Sequence, residues 1–254
     1  MNLTGNTHFK ILLAILSLVF IDGCGNTHKK QQDGTDTIQA VLAETPRAEA
    51  PESAPVAGDC KVTETLIYSD KATCSYTEDK LRGVGVISFQ LEVNGRLDIY
   101  NEDGSQFGFL VYNEGHGFYM LDMPAKIIAR AVVPVDDFMQ FDFDAEAIGT
   151  DKDYLIIYVN KEKRKVKKAD AKFTFNQWDD YLKLQNVRLK SCNRLPAAGM
   201  NQEMLYRVTQ VKGDEIKIRS VKNCSGEDEG YKQVEGWIKW KKGDVLTVEL
   251  TICN

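Results

Sequence analysis

Histidine, cysteine and clustered carboxylates are the residues of this chain from which chemistry could be built, and their spacing decides how much. Of the three histidines, only His116 lies past the N-terminal 58 residues. Flanked by Gly115 and Gly117, with no ligand-spaced partner, it reads as a turn residue rather than a base or metal ligand. The acidic string Asp136, Asp137, Asp142, Asp144, Glu146, Asp151 and Asp153 invites a calcium reading, but Ile148 and Gly149 break the EF-hand spacing. Asp142 and Asp144 alternate with Phe141 and Phe143, which predicts the wet face of a strand. No Gly-x-Ser-x-Gly or His-Glu-x-x-His string occurs. No residue is assigned a catalytic role, and no metal or cofactor is expected.

The six cysteines are Cys24, Cys60, Cys74, Cys192, Cys224 and Cys253. None forms a Cys-x2-Cys pair, so zinc is a poor reading. In an oxidising compartment the economical local bridge is Cys60–Cys74, with a second bridge, Cys192–Cys253 or Cys224–Cys253, tying the C-terminal region. Setting Cys24 aside leaves five, so one thiol is expected to be free or bonded to another molecule.

Lys10 precedes a run of eleven residues, Ile11–Ile21, apolar throughout except for Ser17. That length suits a secretory signal core and falls short of the ~20 residues that span a bilayer. Asp22-Gly23-Cys24-Gly25-Asn26 follows. A small residue directly before a cysteine at the end of such a core resembles the lipobox of bacterial lipoproteins, and the Cys24-Gly25-Asn26 string looks like the Bacteroidetes type. The resemblance implies cleavage before Cys24, acylation of Cys24, and attachment to the membrane through that lipid. The implied location is the outer membrane, facing the periplasm, since no acidic run follows Cys24; surface display is the alternative.

From Gly25 to Gly58 there is no sustained period, and Pro46, Pro51 and Pro55 fall here. Such a segment buries too little apolar surface to offset its ordering entropy, and residues 24–58 are expected to form a disordered tether. As a flexible coil it would reach on the order of 30 Å. The net charge of −5 argues against a nucleic-acid partner. The remaining roughly 195 residues suffice for one or two domains.

Positions 59–190 alternate as strands do. Phe89, Leu91 and Val93 interleave with Ser88, Gln90 and Glu92, and Asn94-Gly95 then signals a hairpin into Leu97-Asp98-Ile99. Asp103-Gly104 and Gly115-His116-Gly117 mark further turns. Strands are also expected at 126–133, 139–144 and 154–159, and a short helix capped by Asn176 carries Trp178, Tyr181 and Leu182 on its apolar face. The fold class read from this pattern is mainly β, an antiparallel barrel or sandwich with a short helix. The basic run of Lys161, Lys163, Arg164, Lys165, Lys167 and Lys168 is placed at a solvated hairpin tip, with anionic lipid or polyanionic glycan as the alternative.

Positions 191–254 hold strands at 206–211, 215–219 and 236–240, with a last alternating strand at 246–252. Gly213-Asp214-Glu215-Ile216-Lys217-Ile218, a polar loop at 223–233, and Gly236-Trp237-Ile238 together resemble bacterial Src-homology-3-like barrels. The resemblance covers about 50 residues and implies a small β-barrel that binds cell-wall or protein ligands. Glu215 stands where that family usually has an aromatic. Trp240, Trp237 and Tyr231 are the candidate ligand-binding residues, with Trp237 expected in the core and Trp240 on the surface. The function expected is a non-enzymatic envelope lipoprotein that binds a peptide, glycan or protein. The alternatives are an envelope hydrolase without a recognisable motif and an immunity or inhibitor protein.

Overall fold

The computed structural model describes residues 60–70, 73–113, 117–135, 137–193, 199–222 and 232–251. In chain order the strands begin with β1 (Glu64–Asp70), β2 (Thr73–Glu78), β3 (Gly85–Glu92), β4 (Arg96–Tyr100), β5 (Gln106–Asn113) and β6 (Gly117–Leu121). They continue with β7 (Lys126–Ile128), β8 (Ala131–Val135), β9 (Phe138–Ala145), β10 (Tyr154–Val159), β11 (Glu162–Lys167) and β12 (Phe173–Gln177). The helix α1 (Trp178–Lys183) precedes β13 (Asn186–Leu189), β14 (Leu205–Lys212), β15 (Glu215–Val221) and β16 (Glu235–Lys239). The last are β17 (Lys241–Lys242), β18 (Val245–Leu246) and β19 (Val248–Thr251). The described residues all belong to one unit.

The fold is mainly β, with antiparallel sheets stacked in a sandwich-like way around one short helix. The largest sheet runs β12-β3-β9-β10-β11-β4-β5-β6, with β8 also paired to β9. Its core contains Ile87, Phe89, Ile99, Leu110, Phe141 and Phe143. A smaller sheet, β1-β2-β7, has β7 parallel to β2. The C-terminal sheet runs β16-β15-β14-β13-β19. Neither large sheet closes into a barrel among the described residues. No described helix is long and apolar enough to cross a membrane.

Alternation placed most strands well, whereas connectivity departed from expectation. Asn94 takes a positive φ of 61°, as a tight turn requires, yet β3 and β4 are not paired. β9 occupies one edge of β3 over eight residue pairs and β12 takes the other, so β4 pairs with β5 through the Asp103-Gly104 turn instead. The expected strand at 126–133 is two strands in different sheets, divided at Ala129-Arg130. The last strand is likewise split at Thr247: β18 pairs with β17, and β19 with β13. Asn176 lies within β12, opposite Val86, and Gln177 stands at the helix N-cap without a side-chain capping bond.

β13 lies in the C-terminal sheet, and Leu81 and Leu182 pack into the core of that sheet beside Tyr206, Ile216 and Trp240. That core therefore draws on residues from both sides of the 190/191 division. The basic run starts at a hairpin tip and continues along a strand: Asn160 and Lys161, with φ of 52° and 73°, make the turn between β10 and β11, and Lys163, Arg164, Lys165 and Lys167 lie in β11.

Cys60 is bridged to Cys192, with Cα atoms 5.2 Å apart, and this overturns both Cys60–Cys74 and Cys192–Cys253. In the β1–β2 hairpin Cys74 stands opposite Ser69, while Cys60 precedes the far end of β1. The strand from Glu64 to Ser69 alone separates them by roughly 16 Å, beyond the reach of a disulfide. Cys74 is itself disulfide-bonded, and no described cysteine is free. Cys24, His116, Cys224, Tyr231 and Cys253 lie outside the described residues.

Candidate functional site

A single charge, Arg130, interrupts an apolar stretch between Ile127 and Val133, and the fold buries it: its side chain is 4 % exposed. Buried guanidinium must be paired, and Asp144 supplies the partner. Arg130 Nε donates to Asp144 Oδ1 at 2.8 Å and Nη2 donates to Oδ2 at 2.8 Å, a bidentate fork. The remaining donors reach the carbonyls of Glu78 at 2.8 Å and Lys80 at 3.0 Å. Asp144 also accepts the backbone N–H of Arg82 at 2.9 Å. Burial works against the Arg130 charge, but Asp144 outweighs it and holds the guanidinium above its usual value.

Asp142, on the same face of β9, is fully buried. It accepts Tyr181 Oη–H at 2.8 Å and Gln140 Nε2–H at 2.9 Å. The expectation of a wet face for Asp142 and Asp144 is thus reversed. Phe141 and Phe143 face one core, while the aspartates face Arg130 and α1, so both sides of β9 are covered. Burial pushes the Asp142 carboxyl up, against hydrogen bonds from Ser88, Tyr181 and Gln140 and the Arg130 charge. Burial, then the Asp142 charge, pushes the Tyr181 phenol well above its usual value.

The sign of the pH effect follows. A carboxyl raised in the folded state contributes stability that is complete below its unfolded-state value and is lost as pH rises through the folded value. Asp142→Asn keeps an acceptor for Tyr181 and removes the titration. Relative to Asp142→Asn, the wild-type chain is expected to lose stability as pH rises from acid to neutral. Urea unfolding of both proteins across that range tests it; a constant difference between them contradicts it.

Above this buried layer a cleft of about 560 Å³ opens, lined by residues of β1, β2, β8 and β19 together with Lys190 and Leu246. Arg130, Glu78 and Asp79 reach its floor. Asp79 pairs with Lys190 and accepts the N–H and Oγ1–H of Thr63 at 3.1 and 2.6 Å. The backbone of residues 79–81 ties this floor to the C-terminal sheet, with Leu246 N–H donating to Asp79 O at 2.8 Å and Leu81 N–H to Asp244 O at 2.7 Å. Nearby, Gly83 has φ +61° and its Cβ position falls 2.1 Å from Ala145 O, so only glycine fits there.

The lining residues come in consecutive runs: Leu66-Ile67-Tyr68, Ala131-Val132-Val133-Pro134 and Val248-Glu249-Leu250-Thr251. A strand that shows one face to a cavity contributes alternate residues; one that shows its edge contributes successive ones. β1, whose run includes a bulge at Ile67, and β8 and β19 are edge strands beside the cleft. Each has a single ladder partner among the described residues: β2, β9 and β13. The walls mix apolar Leu66, Val132 and Leu250 with polar Thr65, Thr77 and Glu249.

The sequence-derived binding residues are distributed otherwise. Trp240 is 1 % exposed and donates Nε1–H to Gly213 O at 2.9 Å. Trp237 is 40 % exposed. Their expected roles are therefore exchanged, because Trp240 shares the inward phase of Ile238 while Trp237 shares the outward phase of Glu235 and Lys239. Neither tryptophan lines the cleft. Sequence reading missed Arg130, whose signal was its isolation in an apolar run. No group of three His, Cys, Asp or Glu among the described residues is placed to hold a metal ion. Comparison with protein-family models, curated proteins and solved structures finds no match.

Proposed function

We propose that this chain is a non-enzymatic lipoprotein of the bacterial envelope, held at the outer membrane by a lipid on Cys24. In this reading it is a binding module, and the cleft between β1, β8 and β19 takes up an extended segment of a partner protein or peptide. The observation that carries the reading is the trio of edge strands lining one amphipathic cleft. An extended peptide adds to the edge of such a strand by main-chain hydrogen bonds, and pockets between the strands select its side chains. The arrangement of Arg130 and Asp144 also supports binding rather than turnover, because their polar atoms are engaged with one another and with the backbone. The Src-homology-3-like reading of the C-terminal region is supported by the β14-β15-β16 meander. The Gly213-Asp214 turn leads into its second strand, and Gly236-Trp237-Ile238 lies in its third.

Two variants test the reading. Cys24→Ala is expected to move the protein from the membrane fraction to the soluble one; retention on membranes refutes the anchor. Leu66, 44 % exposed on the cleft wall, is the second target. Among peptides selected from a display library for binding the chain, Leu66→Glu is expected to weaken binding at least about tenfold, or about 1.4 kcal/mol. N-methylation of alternate peptide amides is expected to do the same in one phase only. Selected peptides indifferent to both changes would remove the cleft from consideration.

A further inference from the structure

The basic run that the cleft leaves unexplained forms part of a second surface. On the side of the large sheet away from its core, Tyr154, Ile156 and Tyr158 of β10 stand opposite Lys167, Lys165 and Lys163 of β11. β4 continues the face, with Tyr100 beside Lys165 and then Asp98 and Arg96. β5 adds Phe109 opposite Asp98. The alternate residues of the same strands, Leu155, Ile157, Val166, Leu97 and Ile99, fill the core, so the phase of this face is settled by the sheet itself.

The outward rings are partly exposed and each lies under a cation. Arg96 sits 3.5 Å from the centroid of Phe109, Lys167 5.3 Å from Tyr100, Lys165 5.6 Å from Tyr154, and Lys163 5.9 Å from Tyr158. Tyr100 and Tyr154 meet edge to face at 6.3 Å. Lys163 is paired with Glu146 at 2.9 Å and Arg96 with Asp98 at 2.6 Å. Lys165 and Lys167 make no ion pair among the described residues. Asp103 and Asp151 influence Lys165 from a distance, but their carboxylates are engaged by Ser105 and by the amides of Asp153 and Tyr154.

We propose that this face binds an acidic polysaccharide, with sugar rings over Tyr100 and Tyr154 and their carboxylates on Lys165 and Lys167. A polyuronate carries an apolar ring face and a carboxylate in every residue, which matches alternating rings and unpaired ammonium groups on one face of the sheet. Cation–π contacts at exposed sites are weak. The long lysine stems therefore swing off the rings, and each ammonium exchanges its ring for a charge-assisted hydrogen bond. A nucleic acid demands a larger basic footprint than two unpaired lysines. A membrane surface is served by side chains that protrude into it, whereas these rings lie beneath their cations.

The test uses the full chain carrying Cys24→Ala, so that no acyl chain contributes to binding. Expected is retention on immobilised polygalacturonate but not on neutral dextran, with release by rising salt. Lys165→Gln with Lys167→Gln is expected to weaken retention at least tenfold without altering the melting temperature. Tyr100→Leu weakens it at unchanged charge, and Leu66→Glu, which addresses the cleft, leaves it unchanged. The proposal is overturned by absence of retention on polygalacturonate, or by full retention of the double lysine variant. It is also overturned by equal or tighter binding to single-stranded DNA or to vesicles of anionic phosphatidylglycerol.

Discussion

Arg130→Leu is expected to lower the stability of the folded chain by about 3–5 kcal/mol, the cost of leaving a buried carboxylate without its partner. For a unit of this size that is a fall in melting temperature on the order of 10 °C. The reason is the number of elements that meet at one guanidinium. Arg130 joins β9 through Asp144 to the carbonyls of Glu78 and Lys80, and its guanidinium lies 5.4 Å from the ring of Trp178 on α1. Without it Asp144 keeps, among the described residues, the Arg82 N–H, and two carbonyls lose donors. Removing the charge of both partners with Arg130→Leu and Asp144→Leu is expected to restore part of the loss, since an apolar pair avoids the uncompensated charge. Thermal unfolding of the single and double variants decides it. A single variant within about 1 kcal/mol of wild type would show that the pair is not buried in solution.

Trp240→Ala is expected to cost about 3–5 kcal/mol, while Trp237→Ala stays within about 0.5 kcal/mol. The Trp240 ring is buried in the C-terminal core, its centroid 6.3 Å from that of Trp178, and truncation removes the donor to Gly213 O as well as a large apolar volume. Trp237, opposite Lys217 on β15, stands on the outer side of the sheet and leaves no cavity. Chemical unfolding monitored by circular dichroism ranks the two, and a larger loss for Trp237→Ala would contradict the register of β16.

The expectation had these two tryptophans reversed, although the chain carries the signal that separates them. Trp237-Ile238-Lys239-Trp240 alternates, and with Ile238 inward the phase assigns Trp240 to the core and Trp237 to the outside. The burial of Asp142 and Asp144 was harder to see. Phe141 and Phe143 announce a strand with one apolar face, but nothing local says that the other face is covered. The groups that cover it come from far along the chain: Arg130 lies 14 residues from Asp144, and Tyr181 lies 39 residues from Asp142. The one local clue was a lone arginine among Ile127, Ile128, Ala131 and Val132, since a charge in such a run requires a buried partner. The Asn94-Gly95 turn shows the complementary limit. Residue type specifies the positive φ at Asn94, but which strand lies beside β4 depends on whether β3 has an edge to offer.

The sequence by itself determined what depends on neighbours a few residues apart. This covers the β class, the period-two phase of β3, β10 and β15, the turns at Gly104 and Gly213, and the helix at Trp178–Lys183. It also carried the expectation of a lipid on Cys24, which rests on the residues around that cysteine. Only the tertiary structure decided what depends on distant segments. It brought Cys60 to Cys192 across 132 residues, buried Arg130 on Asp144, and set the edge strands β1, β8 and β19 beside one cleft. Strand pattern is local because side chains alternate at fixed spacing. Edges, partners and buried charges belong to pairs of segments whose meeting no local period records.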